Sequence, residues 1–486
     1  MRTSLPIYAA ALAAFLLGTG TPAVAQQARA AIANEIDRDW VNWSSAITYR
    51  QRDHDDCEAS ERGLRTAIGR HFMSHQGFVR KRDSGQYVWD ESASSRNVAR
   101  MAPRAVIDKV RASLQMLDPR GRSAVLIYDY GAPKGQVHLC SFLITPSGQF
   151  VAARAPVGST QPLSVAAREI LGATAPAVRN FLLDPFAGNR KRDELACPPQ
   201  EHMGTRDVRS NLARLSTVLF PSRIAEILAS HPIDRLWILP AADVDNIPFA
   251  AIPVGPQREH YLIEYLSPVL LPDIDALLNS RRFPDHGFMR SLVVGDSDGS
   301  LPGAREEAAY VAGLLPAPTT LLGEDARIAR VLQFLHHEEQ GGSLIYFATH
   351  GISNPYDPMD GGYLVLSDGR LTGTEVKSLS RVYPFGGKLD GSLVVMSACQ
   401  SGLGKVFEGG TFNLSRAWYL AGATRVLMSL WNIDDCATAA IMKHFSRLMM
   451  SEREAPDRAP RRALLGARDS NLHPQLWAGF ALLEAP

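Results

Sequence analysis

Five short apolar runs in the second half of the chain constrain its fold more than any other feature: "DRLWILP", "RSLVVGD", "GSLIYFATHG", "GSLVVMSACQSG" and "ATRVLMSLWNIDD". Each is strand-length and continuously apolar instead of alternating, the pattern of a strand covered on both faces. Helix-length amphipathic stretches, such as Ala304 to Leu315 and Ala326 to His336, lie between several of them. Together they predict a largely parallel sheet between two helix layers, an α/β sandwich. In such sheets reactive side chains gather beyond the carboxyl ends of the strands. The polar residues that close these runs are therefore where a site is expected.

The first half has a different rhythm. "SERGLRTAIGRHFMSH" and "APRAVIDKVRASLQML" space their apolar residues as helices do, giving a short helical lead-in. "SAVLIYDY" (123–130), "QVHLCSFLITPSG" (136–148) and "QFVAARA" follow, separated by Gly and Pro turn signals, and suggest a small antiparallel unit. Helical patterns resume over 163–231, broken by the polar, basic "AGNRKRDELACPPQEH", which reads as a solvated loop open to proteolytic nicking. The resulting division is a leader at 1–25, a helical segment at 26–104, a small α/β subdomain at 105–232 and the main sheet region at 233–486.

The leader rests on one early cation, Arg2, an apolar stretch from Ile7 to Leu17, and small residues Ala23 and Ala25 placed for cleavage before Gln26. That is the pattern of an export signal, with a periplasmic or secreted product expected. Removing it takes away one cation from 51 Lys and Arg against 50 Asp and Glu, so the remainder is neutral. No global charge draws such a chain to nucleic acid or to an anionic membrane. Even the longest apolar candidate for a membrane span, Phe412 to Trp431, carries Arg416 and Arg425. An odd count of five cysteines leaves at least one thiol unpaired in an oxidising compartment, and their wide spacing argues against a dense disulfide framework.

Two of the strands end in residues able to do covalent chemistry together. "IYFATHG" delivers His350 followed by Gly351, and "VVMSAC" delivers Cys399 followed by "QSGLG". A thiolate is a strong nucleophile, and an imidazole beside it can take the thiol proton and later protonate a leaving amine. Cys399 is thus the candidate free thiol. The backbone N–H groups of Gly351 and Cys399 are candidates to face the oxyanion of a tetrahedral intermediate, since glycine allows close main-chain approach.

The words around these residues resemble the CHAT family, caspase-like cysteine peptidases related to separase: "FATHG", "LVVMSACQSGLG", "FEGGTFNLSRAWYLAGATRVLMSLWNIDDCATAAIMKHF" and "HPQLWAGFALLEAP". Upstream, "RLWILPAADVDNIPFAAIP", "YLIEYLSPVLLP" and "VVGDSDGSLPGAREEAAYVAGLLP" resemble earlier segments of the family in the same order, from about residue 105 to 484. The resemblance implies a caspase-like three-layer α/β/α sandwich and an endopeptidase with His350 and Cys399 as its dyad, acting on a protein or peptide substrate without a cofactor. The family's usual "SACET" is "SACQS" here, a change that bears on substrate fit more than on the dyad. Members commonly follow helical repeats, and none is recognisable in this sequence. Resemblance to separase also implies that Asp434 and Asp435, after "SLWNI", form an acidic wall for a basic P1 side chain. The same two acids equally suit the cap of the next helix.

Other signals have ordinary readings. His54, Cys57, His71 and His75 fall at a near-zinc spacing, but His stands in place of the usual first Cys and helical patterning surrounds the last two, so no metal is expected. "HHEEQGG" lacks the spacing of a metalloprotease helix and reads as a helix end. "SGLGKVFEGG" has Cys399 where a phosphate loop needs its first glycine, and Val406 after the lysine. Gly409 and Gly410, ahead of a helix expected near Thr411, give the loop beside the nucleophile room to rearrange. Cys436 follows the next strand and is a candidate to form a reversible disulfide with the nucleophile. Two further classes stay open: an interaction module that kept the fold without turnover, and an amidase or acyl transferase using the same thiol.

Overall fold

The computed structural model describes residues 57–76, 78–80, 87–89, 102–131, 136–157, 163–171, 206–278, 287–336, 342–354, 361–379, 389–398, 401, 404–407, 410–431, 434–470 and 472–486. The helical lead-in is present as α1 (Glu61–Gln76) and α2 (Pro103–Leu117). Helix α2 begins with Pro103, where a missing N–H costs nothing, and buries Val106, Ile107, Val110 and Leu114 along one stripe. The three expected antiparallel strands are β1 (Ser123–Gly131), β2 (His138–Ile144) and β3 (Phe150–Pro156). A disulfide between Cys57 and Cys140, whose Cα atoms are 6.0 Å apart, fastens the residue range just before α1 to β2.

All five apolar runs form strands of one sheet. In chain order they are β4 (Arg235–Leu239), β6 (Arg290–Gly295), β8 (Ser343–Ala348), β9 (Leu393–Ser397) and β10 (Arg425–Ser429). The sheet also takes in β5 (Ser267–Leu270), β7 (Thr319–Leu322) and β11 (Phe480–Glu484). The order across it is β7-β6-β8-β9-β10-β11-β5-β4-β1-β2-β3, eleven strands in all. Pairing is parallel except where β11 meets β10 and within the β1–β2–β3 arm. The antiparallel unit therefore extends the main sheet at one edge, because β1 pairs in parallel with β4.

Three layers follow from two neighbours on β8. Successive strand residues face opposite ways, and Tyr346 donates its hydroxyl to Glu307 on helix α3 (Pro302–Gly313) at 2.7 Å. Phe347 faces the other side, its ring centroid 5.7 Å from that of Trp418 on α4 (Leu414–Leu420). On the α3 side the sheet is also covered by α5 (Asp435–Met450), which buries Ile441, Met442, Phe445 and Leu448. Side chains of that size each gain roughly 1.5–3 kcal/mol from leaving water. The continuous apolar runs are thus the direct signature of strands covered on both faces, and the α/β/α sandwich is the one the resemblance implies.

The helix expected near Thr411 starts instead at Leu414. Asn413 caps it, its side chain accepting from the Arg416 N–H at 3.0 Å. The residues before the cap pair as a hairpin, Gly404–Phe407 with Gly410–Asn413. Among the described residues no helix is long and apolar enough to cross a membrane.

Candidate active site

Strands β8 and β9 are parallel neighbours, with Ala348 opposite Ser397 in the register. In sequence His350 comes two residues after the first and Cys399 two residues after the second. Cys399 and Gln400 lie outside the described residues. Their flanks are tied to the last residue of β10: Ser429 donates its hydroxyl to the Ala398 carbonyl, and its N–H to Ser401 Oγ at 3.0 Å. The Ser429 side chain is buried, so both bonds act out of competition with water.

The His350 backbone is equally constrained. Its carbonyl accepts from the Val365 N–H at 2.9 Å, and the following short strand, Gly351–Ile352, pairs antiparallel with Tyr363–Leu366. Gly351, one of the two expected oxyanion amides, stands opposite Leu364 in that pairing. Thr349, one residue before the histidine, is buried and donates to the Val365 carbonyl at 2.9 Å.

The side chain of His350 meets two residues that sequence reasoning did not single out. Ser300 Oγ lies 2.7 Å from His350 Nε2, and Asp298 Oδ2 lies 3.6 Å from the same nitrogen. Both belong to the loop between β6 and α3, "GDSDGSLP", at the carboxyl end of the strand beside β8. That loop is held from several directions. Asp296 has a left-handed backbone (φ 45°), which a residue with a side chain adopts at a cost. Its carboxylate accepts from the Leu301 N–H at 2.8 Å and from Arg305 Nε at 2.7 Å, and its own N–H reaches the Ala348 carbonyl at 2.9 Å. Ser297 Oγ sits 2.6 Å from Thr349 Oγ1, binding the loop to the residue before His350. The one available sequence signal was position, since the loop closes a buried strand at the sheet's working edge.

Asp434 and Asp435 each engage backbone N–H groups. Asp434 is the N-cap of α5, its carboxylate accepting from the Ala437 N–H at 2.9 Å. Asp435 reaches across to the start of α3, where its Oδ2 accepts from the Gly303 N–H at 2.9 Å. A Cβ on residue 303 would sit 2.6 Å from that oxygen, so only glycine lets the carboxylate come so close. Burial raises the Asp435 carboxyl above its ordinary value, against the lowering effect of the Gly303 and Ala304 N–H groups.

With this geometry in place, comparison with known proteins is decisive at the level of family: the family model described as "CHAT domain" matches residues 209–485, more than half of the chain. The chain belongs to the CHAT domain family. Among curated relatives it is similar to mouse (Mus musculus) Tetratricopeptide repeat protein 28, 24% identical over 346 residues, which cover 60% of this chain and 13% of that protein. The CHAT chain thus spans only a small part of the length of that relative. Similar solved structures include the Saccharomyces cerevisiae separase–securin complex, at a TM-score of 0.45 and 12% identity, covering 81% of this chain and 32% of that one. The Arg specific cysteine proteinase gingipain R is another, at 0.39 and 9%, covering 58% and 68%.

Elsewhere in the CHAT domain, beneath the end of β9, Glu307 is fully buried between α3 and the sheet. Loss of hydration pushes its carboxyl up to about 8, against the Tyr346 hydroxyl, Ser397 and Lys443, which favour the charged form. The Ser397 and Ser446 hydroxyls lie in this region without closing a hydrogen bond of normal geometry. Cys436 is disulfide-bonded. Cys57, the cysteine of the near-zinc spacing, is committed to Cys140, while His54 and "HEEQG" of the other metal-like stretch lie outside the described residues. Among the described residues no group of three or more His, Cys, Asp or Glu is arranged to hold a metal.

Proposed function

We propose that this CHAT protein is a cysteine endopeptidase in which Cys399 attacks a peptide carbonyl and His350 serves first as base and then as acid. The carrying observation is the register of β8 and β9, from which His350 and Cys399 follow at equal offsets. In the reaction the thiol S–H bond breaks, its proton goes to the imidazole, and a C–S bond forms at the carbonyl carbon. The oxyanion is met by the N–H groups of Gly351 and Cys399. Collapse expels the amine, which takes the proton from His350, and water hydrolyses the acyl-enzyme.

Asp434 and Asp435 are proposed to draw a basic P1 side chain to this edge of the sheet. In support, both carboxylates lie where β10 hands the chain to α5, one strand beyond β9. Export is proposed from the leader pattern, and the Cys57–Cys140 disulfide is the kind of bond an oxidising compartment preserves.

The test is incubation of the purified chain, wild type beside Cys399→Ala, with a diverse peptide library under reducing and oxidising conditions, with cleavage sites read by mass spectrometry. Cleavage that disappears in the variant is expected, with Lys or Arg enriched at P1. Cleavage at equal rates by both proteins would refute the mechanism. Silence of the wild type in every condition would favour an interaction module.

A further inference from the structure

The contact between His350 and the β6–α3 loop carries information about which imidazole nitrogen is basic. Ser300 Oγ is 2.7 Å from Asp298 Oδ1 and also 2.7 Å from His350 Nε2. A serine hydroxyl has one proton to give, and an ionised carboxylate can only accept. When the Ser300 proton is committed to Asp298, the serine oxygen is left to accept from Nε2–H. Asp298 is held for this role, since its Oδ1 also accepts the Ser300 N–H at 3.1 Å. Its other oxygen lies 3.6 Å from Nε2.

We propose that Ser300 and Asp298 are positioning residues that keep the His350 proton on Nε2, so that Nδ1 is the nitrogen that receives the thiol proton of Cys399. The inference rests on the dyad reading above and adds the tautomer and the residues that set it. Proton transfer from the thiol then gives a thiolate and an imidazolium carrying protons on both nitrogens, with Asp298 attracting the new charge. The other acids near this edge are otherwise engaged: Asp296 with Arg305, Asp434 with the N-terminus of α5 and Asp435 with that of α3. A second observation supports the assignment independently of the serine. The loop is pinned to Thr349 and to the Ala348 carbonyl, so Ser300 and His350 are carried by one braced unit and keep their distance as the sheet breathes.

The test needs no peptide substrate. In the full chain, after mild reduction and removal of the reductant, iodoacetamide alkylation of Cys399 is followed on its own peptide by mass spectrometry. The thiolate displaces iodide, so the rate reports how readily His350 takes the proton. Ser300→Ala is expected to slow alkylation by ~10-fold or more at neutral pH, and Ser300→Thr, which keeps the hydroxyl, to restore it. Asp298→Asn is expected to be slow as well. The deficit should vanish by about pH 9.5, where a thiol ionises without help. A deficit that persists unchanged at that pH would mark a merely structural effect and overturn the inference. So would wild-type rates in Ser300→Ala combined with slow alkylation in His350→Ala, an outcome that leaves the dyad standing. Wild-type rates in His350→Ala would refute the dyad itself.

Discussion

Replacing Glu307 by glutamine should make the protein more stable in alkali and leave it nearly unchanged in acid. Glu307 is 1% exposed, and burial pushes its carboxyl from an ordinary value of 4.5 up to about 8. Below the lower value both folded and unfolded chains carry the proton. Between the two, the folded protein keeps it while the unfolded chain releases it, so the folded state binds more protons and stability falls as pH rises. Each pH unit in that window costs ~1.4 kcal/mol, about 5 kcal/mol by the time the folded carboxyl has ionised. Glutamine cannot ionise, has nearly the same shape, and still offers an oxygen to the Tyr346 hydroxyl. Urea denaturation of wild type and Glu307→Gln with disulfides intact should therefore give curves within ~1 kcal/mol near pH 4.5. At pH 9 the variant should lead by on the order of 3–5 kcal/mol. A difference that stays constant between the two pH values would refute the reasoning, because it would mean the folded state does not hold a proton that the unfolded state has lost.

Removing the Cys57–Cys140 bridge with the double change Cys57→Ser and Cys140→Ser frees a loop with a sequence separation of 83 residues. The expected loss is about 4 kcal/mol, read from the urea midpoint, and an unmoved midpoint would show that the bridge constrains little in the unfolded chain. Asp434 separates its two readings by paired substitutions. Asp434→Ala should cost ~1 kcal/mol through the lost cap, whereas Asp434→Asn, itself a good cap, should not. If the carboxylate also draws a basic P1 residue, both variants lose that preference in the peptide library, and retention of the preference by Asp434→Asn would leave the cap as its whole role.

Much of the fold was legible because its strands are buried on both faces. "SLIYFA" and "LVVMS" announce themselves as core strands whatever their partners, and the helices expected around 304–315 and 326–336 are found at Pro302–Gly313 and Ile328–Leu335. His350 was legible because it breaks such a run with a titratable group at the end where sites collect. Ser300 and Asp298 were not, since D, S and G in a loop are what any exposed turn contains. Their meaning comes from β6 lying beside β8, a pairing between strands separated by a helix, β7 and a second helix in sequence. Glu307 was hidden for a related reason: Glu306 beside it is solvated, and only the i, i+4 relation to Gly303 and Val311 puts one of two adjacent acids on the buried face. The pairing of Cys57 with Cys140 depends on the return of the chain after α1 and α2, which spacing does not encode. The hairpin before Asn413 was not legible, because Gly409 and Gly410 suggest a slack loop ahead of a helix near Thr411, whereas Gly404–Phe407 and Gly410–Asn413 pair.

The position of β11 has a consequence for how the molecule is made. Phe480–Glu484 is the last strand in sequence, yet it lies between β10 and β5, joined to β10 over five register pairs and by the Arg425–Glu484 ion pair at 2.8 Å. During synthesis the β6–β10 block and the β1–β5 block can each form early, but the seam between them stays open until Phe480–Glu484 is available to pair. Its contacts span more than two hundred residues from Leu270 to Leu483, so closure is the slowest kind of step, a long-range pairing late in folding. The edges of β10 and β5 stand exposed in the interval, and an exposed strand edge is a template for the wrong partner. The histidine and cysteine strands lie in the β6–β10 block, so the sheet that carries them joins the β1–β5 block only through Phe480–Glu484.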